Sequence, residues 1–165
     1  MNYFELFDIA PSFLPDQALV KKKFYQLSRQ YHPDFYGNGS AEEKEKALEM
    51  SALVNKAYQT LQNQDLLIKY VLQDQGLLVE DEKYQLSPDF LMEVMDLNEQ
   101  LMDADEPEAK TAIRSAIDQL NTQIYEPVQE TLENHPGNTL TQEKLLQVKE
   151  FYFRKKYLDR ILAEL

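Results

Sequence analysis

The chain predicts an all-α fold, an N-terminal helical hairpin joined to a C-terminal three-helix bundle, and three observations lead there. Apolar residues recur three and four positions apart through each long segment, the spacing of one helix face. Prolines and glycines fall between those segments or in their first turns, where they stop or start helices. Charge is also divided: residues 1–75 hold eight Lys/Arg against ten Asp/Glu, net −2, whereas residues 76–165 hold nine against nineteen, net −10. Halves with such different electrostatics predict two different surfaces.

Composition bounds what the chain can do. Its 165 residues suffice for one ordinary domain or two small helical ones, and 43% hydrophobic with 28% charged residues is the balance of a soluble, folded protein. With no cysteine and two histidines, disulfides, thiol redox chemistry and a Cys-ligated zinc or iron–sulfur site are excluded, and no cofactor is expected. A formal net charge of −12 argues against sequence-independent nucleic-acid binding, which needs clustered cations. The opening MNYFELF has neither a basic region nor a long apolar run, so a signal peptide or membrane span is not expected there and the cytoplasm is the default location.

Taken in order, Asn2 caps a short helix to Asp8 whose Tyr3, Phe4, Leu6 and Phe7 are apolar anchors. Pro11 and Pro15 mark a loop, and Asp16 caps a helix reaching Tyr31 or His32, with Val20, Phe24, Leu27 and Tyr31 facing inward. Pro33 has no N–H and holds His32 extended, so that helix must stop there. Gly37, Asn38 and Gly39 are expected to reverse the chain with positive backbone angles, and Ser40 with Glu43 reads as a capping box. A helix from Ala41 to Gln62 follows, with Ala47, Met50, Val54, Ala57, Tyr58 and Leu61 inside, then a short one over Leu66 to Leu72 ended by Gly76. Residues 1–75 thus form one domain, 76–88 a connector whose Leu77, Leu78, Val79 and Tyr84 suggest packing, and 89–165 a second domain. That domain needs helices over Pro88 to Asp103, Pro107 to Asn134 with a break at Pro127, and Thr141 to Glu164, with His135-Pro136-Gly137-Asn138 as an ordinary turn.

His32-Pro33-Asp34 therefore sits at the tip of a helical hairpin. Tyr31-His32-Pro33-Asp34, preceded by a lysine-rich amphipathic helix and followed by a helix containing Ala57-Tyr58-Gln59-Thr60-Leu61, resembles a J-domain. The opening Asn2-Tyr3-Phe4-Glu5-Leu6-Phe7 and the later Phe90-Leu91-Met92-Glu93 narrow the resemblance to the HscB family of co-chaperones for iron–sulfur cluster assembly, over nearly the whole chain. Some eukaryotic members carry a zinc module on paired cysteines; a chain without cysteine resembles the bacterial type. No Gly/Phe-rich linker of the kind common after J-domains is present.

Read as an enzyme, His32 and Asp34 would be base and orienter. Residues flanking one proline rarely face each other, and neither a nucleophile nor a phosphate-cradling glycine motif accompanies them, so an enzyme is not expected. A metal held by His32 and His135 lacks a third ligand. Binding needs only exposure and charge. Lys21, Tyr25 and Arg29 form a row with Lys22 and Gln26 beside it; alone, such a row reads as a solvated face. The resemblance implies that Lys21, Lys22, Arg29, Gln30, His32, Pro33 and Asp34 meet a DnaK-type (HscA-like) ATPase chaperone and stimulate its ATP hydrolysis. Phe35 departs from the lysine frequent after the Asp, which makes the partner's patch less acidic there.

The second domain has apolar residues to spare. Phe90, Val94, Leu97 and Leu101 fall on one narrow stripe, while Leu91, Met95 and Met102 form another, with Met92 and Glu99 beyond it. On the last helix Val148, Phe151, Leu158, Leu162 and Leu165 read as core, and Leu146, Phe153 and Tyr157 lie on a different face. Surplus methionines and aromatics suit an adaptable protein-binding patch, or packing against another element. The resemblance implies the former: an IscU-type iron–sulfur scaffold binding at Leu91, Met92, Met95, Asp96, Glu99, Phe153 and Tyr157, with Met95 and Asp96 standing for the leucine and glutamate of the family pattern. The function so implied is recruitment of the scaffold to the chaperone. A J-protein for another client, or a helical adaptor without ATPase stimulation, are the competing readings.

Overall fold

The computed structural model describes residues 2–134 and 140–165, and among these every regular element is helical. They fall into two compact units, residues 2–71 in one and residues 72–134 with 140–165 in the other. The expected turn at His135 to Asn138 lies outside the described residues.

In the first unit, helix α1 (Tyr3–Leu6) starts from a complete capping box: the Asn2 side chain accepts from the Glu5 N–H at 2.8 Å, and the Glu5 carboxylate accepts from the Asn2 N–H at 3.3 Å. Helix α2 (Gln17–Gln30) is capped by Asp16, whose carboxylate accepts from the Ala18 and Leu19 amides. A 3-10 turn over Pro33–Tyr36 leads to helix α3 (Ala41–Gln62), which Ser40 caps by accepting from the Glu43 N–H. Helices α2 and α3 pack together, and Val20, Val54, Ala57 and Leu61 close on Phe4, Leu6 and Phe7 from α1 and its C-terminal end. Phe24 lies on Tyr58 with ring centroids 3.9 Å apart, and Tyr3 stacks on Tyr70 at 4.1 Å.

The chain reversal is not made as the sequence suggests. Gly37 has φ −57°, and neither Asn38 nor Gly39 takes a positive angle; the chain passes from the 3-10 turn to Ser40 with negative φ throughout. Gly39 is a matter of space: a Cβ there would stand 2.7 Å from the Glu43 carboxylate and 3.2 Å from the Tyr36 carbonyl.

Helix α4 (Gln64–Asp74) ends in a Schellman motif, with Gly76 at φ +72°, its N–H on the Gln73 carbonyl and the Leu77 N–H on the Leu72 carbonyl. In the second unit, helices α5 (Pro88–Asp103), α6 (Pro107–Tyr125) and α8 (Gln142–Ala163) pack pairwise as a three-helix bundle. Pro88 and Pro107 each occupy a first turn, where the missing N–H costs nothing. Pro127 does break the middle helix: α6 stops at Tyr125, Glu126–Val128 winds as a 3-10 turn, and α7 (Gln129–Asn134) resumes.

Phe90, Val94, Leu97, Ile113, Ile117, Val148, Phe151 and Leu158 fill the bundle. Two expected core residues, Leu162 and Leu165, are only half-buried, as is Leu101 on α5; Leu145 and Ile161 are buried on α8 instead. The inward stripe of α8 keeps Val148, Phe151 and Leu158 and is set slightly to one side at its ends, on Leu145 and Ile161.

Candidate interaction surfaces

The tip of the first unit is built from backbone rules. Pro33 opens the 3-10 turn, His32 is its extended N-cap, and His32 Nδ1 accepts from the Asp34 N–H at 3.2 Å. Asp34 Oδ2 also comes within 3.5 Å of Nδ1. The expectation that residues flanking a proline do not face each other is therefore wrong here: the tight turn folds position 34 back over the capping imidazole. This is a capping arrangement, with both side chains more than half exposed. The Tyr36 hydroxyl donates to the Gln30 carbonyl at 3.2 Å, tying the turn to the end of α2.

Lys21, Lys22, Tyr25, Gln26, Arg29 and Gln30 are all exposed on α2, as are Pro33 and Phe35 on the turn. Among the described residues Lys21 and Lys22 make no ion pair, whereas Lys23 is half-buried and paired with Asp8 at 3.4 Å. Helix α2 itself contains no acidic residue, so its exposed Lys21, Lys22 and Arg29 are followed at the tip by the carboxylate of Asp34.

In the second unit Met92, Met95 and Met102 are exposed, Met95 at 61%, and Asp96 and Glu99 are exposed with them. Leu91 is half-buried. On α8, Tyr157 is 37% exposed with the Arg160 guanidinium 5.5 Å over its ring. Phe153 departs from expectation: it is half-buried and stacks on Tyr84, centroids 4.7 Å apart and planes 3° from parallel. What covers it is the segment before α5. Leu78 and Leu86 of that segment are buried, Glu82 pairs with Lys149 at 2.7 Å, and the Lys149 ammonium lies 5.6 Å from the Tyr84 ring. The Lys149 hydrogen bond holds the Glu82 carboxyl below its ordinary value, and burial pushes the Tyr84 hydroxyl up. The apolar residues of the segment gave notice that it packs; which side chain it would cover was not readable from spacing.

Among the described residues no group of three or more His, Asp or Glu is placed to hold a metal, and no helix is long and apolar enough to cross a membrane. The hairpin with its His-Pro-Asp tip and cationic helix, followed by a helical bundle, defines the class as a J-domain protein with a second helical module. Comparison with known proteins agrees. Residues 2–70 match the DnaJ domain, and residues 86–165 match the HSCB C-terminal oligomerisation domain. The co-chaperone protein HscB homolog of Vibrio parahaemolyticus is 30% identical over 98% of this chain and 95% of its own length. The human iron-sulfur cluster co-chaperone protein HscB is also 30% identical, over 97% of this chain and 65% of the human one. Among solved structures, human HscB superposes with a TM-score of 0.79 at 29% identity, covering 99% of this chain and 79% of that one. The chaperone HscB from Vibrio cholerae gives 0.72 at 28%, covering 99% and 94%. The chain belongs to the HscB family of J-domain co-chaperones, which are not enzymes.

Proposed function

We propose that this chain delivers an IscU-type iron–sulfur scaffold to an HscA-like, DnaK-type chaperone in the cytoplasm and stimulates that chaperone's ATP hydrolysis. Family membership supports the pathway, and the observation that carries the mechanism is the exposed, hydrogen-bonded His32-Pro33-Asp34 tip at the end of a helix that exposes Lys21 and Lys22. Asp34, presented on a hydrogen-bonded turn, accepts a charge-assisted bond from a cation of the chaperone, and such a bond is about twice as strong as a neutral one. Lys21, Lys22, Arg29 and Gln30 then engage the acidic surroundings of that cation. The ATP chemistry stays in the partner.

Leu91, Met92, Met95, Asp96, Glu99 and Tyr157 form the scaffold-binding set, with the half-buried Phe153 contributing the part of its surface that Tyr84 leaves open. Methionines suit this task because their unbranched, polarizable side chains conform to a partner. Residues 1–75, 76–88 and 89–165 act in this scheme as chaperone-binding domain, connector and client-binding domain. Self-association through the same methionines is the competing reading, since the matched C-terminal family is named for oligomerisation. The test is to measure ATP hydrolysis by the organism's DnaK-type chaperones with this chain, the scaffold, or both. Stimulation greater with both than the sum of each alone supports the proposal. Stimulation by the chain that the scaffold leaves unaltered points to another client.

A further inference from the structure

We propose that Phe35, with the cleft between Tyr25 and His32, is an apolar anchor that selects the chaperone: a partner surface with an apolar side chain set among carboxylates fits it, and a purely acidic one does not. This rests on the reading of the tip and the α2 cations as the docking face for an Hsp70-type chaperone.

Phe35 is 72% exposed. A single exposed aromatic is ordinary on a protein surface, and three features set this one apart. Its backbone is fixed, the Phe35 N–H bonding to the His32 carbonyl at 3.1 Å within the 3-10 turn, so little ordering remains to be done on binding. Its ring has apolar company: the His32 ring stands edge-on at 6.5 Å, and His32 in turn lines a shallow cleft with Tyr25, Ser28 and Arg29. Tyr25, one wall of that cleft, is 56% exposed. Finally, a cation borders the cleft, Arg29, and Lys21 and Lys22 lie exposed further along the same helix, unpaired among the described residues.

An exposed aromatic beside a cation-bordered cleft has the composition of a protein–protein hot spot, in which an aromatic anchor supplies affinity and charged neighbours orient the partner. The occupant follows from complementarity. Carboxylates answer the lysines, and an aliphatic or aromatic side chain answers Phe35 and the cleft. Carboxylates placed against Phe35 would lose water without gaining a hydrogen bond, which disfavours a chaperone that is acidic throughout.

The experiment titrates the full chain against an Hsp70-type chaperone of the same organism and follows single-turnover ATP hydrolysis. Phe35→Ala is expected to raise the half-maximal concentration about tenfold or more, as loss of an anchoring aromatic does. Phe35→Leu should stay within about threefold of the parent, while Phe35→Lys should lose as much as Phe35→Ala despite its added cation. Phe35→Lys stimulating as well as the parent would overturn the inference and show that the face reads charge alone. Phe35→Ala equal to the parent, with Asp34→Asn inactive, would overturn the anchor and leave the docking reading standing. Full activity of both Phe35→Ala and Asp34→Asn would remove the docking reading and this inference with it.

Discussion

Helices α2 and α5 are both amphipathic, each burying one stripe and exposing the other, yet their exposed faces are chemical opposites. Between Gln17 and Gln30, α2 has three lysines and an arginine and no acid; between Pro88 and Asp103, α5 has five acids, no cation and three exposed methionines. The buried faces barely differ in kind, Val20 and Phe24 on one and Phe90, Val94 and Leu97 on the other. Packing thus accounts for the inner face and leaves the outer one open to function. A rigid, charged face attached to a fixed turn reads geometry and is sensitive to salt. A methionine face ringed by carboxylates adapts its shape and favours a partner with apolar and basic side chains.

The largest expected effect marks the buried side of that comparison. Leu158→Ala should destabilise the protein by about 2 to 5 kcal/mol, because the side chain is fully enclosed and its removal leaves a cavity. Denaturant midpoints check this, and a loss under about 1 kcal/mol would mean that the bundle is not packed as described. By contrast, Met95→Ala should shift stability by about 0.5 kcal/mol or less but cost scaffold binding about 2 kcal/mol, some thirtyfold in affinity. Large destabilisation with unchanged intrinsic affinity would falsify the client surface and assign Met95 to the core.

A smaller effect concerns the segment laid on α8. Glu82→Gln should cost about 1 kcal/mol or less near neutral pH, the worth of a partly exposed ion pair with Lys149. Because the folded state holds the Glu82 carboxyl below its ordinary 4.5, the unfolded chain takes up the proton first as pH falls. The contribution is therefore full above that value and fades below it as pH drops through the folded-state pKa. Unfolding of parent and variant should converge in acid; a difference constant down to pH 3 would contradict the pairing. The smallest change is the double variant Lys21→Ala, Lys22→Ala. It should weaken chaperone association by several-fold, flatten its salt dependence and leave scaffold affinity alone. Association rates at two ionic strengths decide it.

Much of this was legible in the residues. Asn2, Asp16 and Ser40 announce helix starts through their side chains, Gly76 a helix end, and Pro127 a break, because caps and prolines act locally. What escaped depends on tertiary neighbours. Spacing alone cannot show that Tyr84 covers Phe153, that Gly39 lies close to the Tyr36 carbonyl without a positive angle, or that Leu145 and Ile161 are buried ahead of Leu162 and Leu165. Nor does it show Asp34 turned back on the His32 ring, which follows from the 3-10 geometry after Pro33.

The central claim is that the two faces are separable, and crossed variants test it most directly. Asp34→Asn and Met95→Ala would each be measured for scaffold affinity by titration and for ATPase stimulation without scaffold. The account predicts that Asp34→Asn loses stimulation and keeps parental scaffold affinity, while Met95→Ala loses affinity about thirtyfold and keeps full stimulation. Either variant impairing both readings while remaining folded would contradict it.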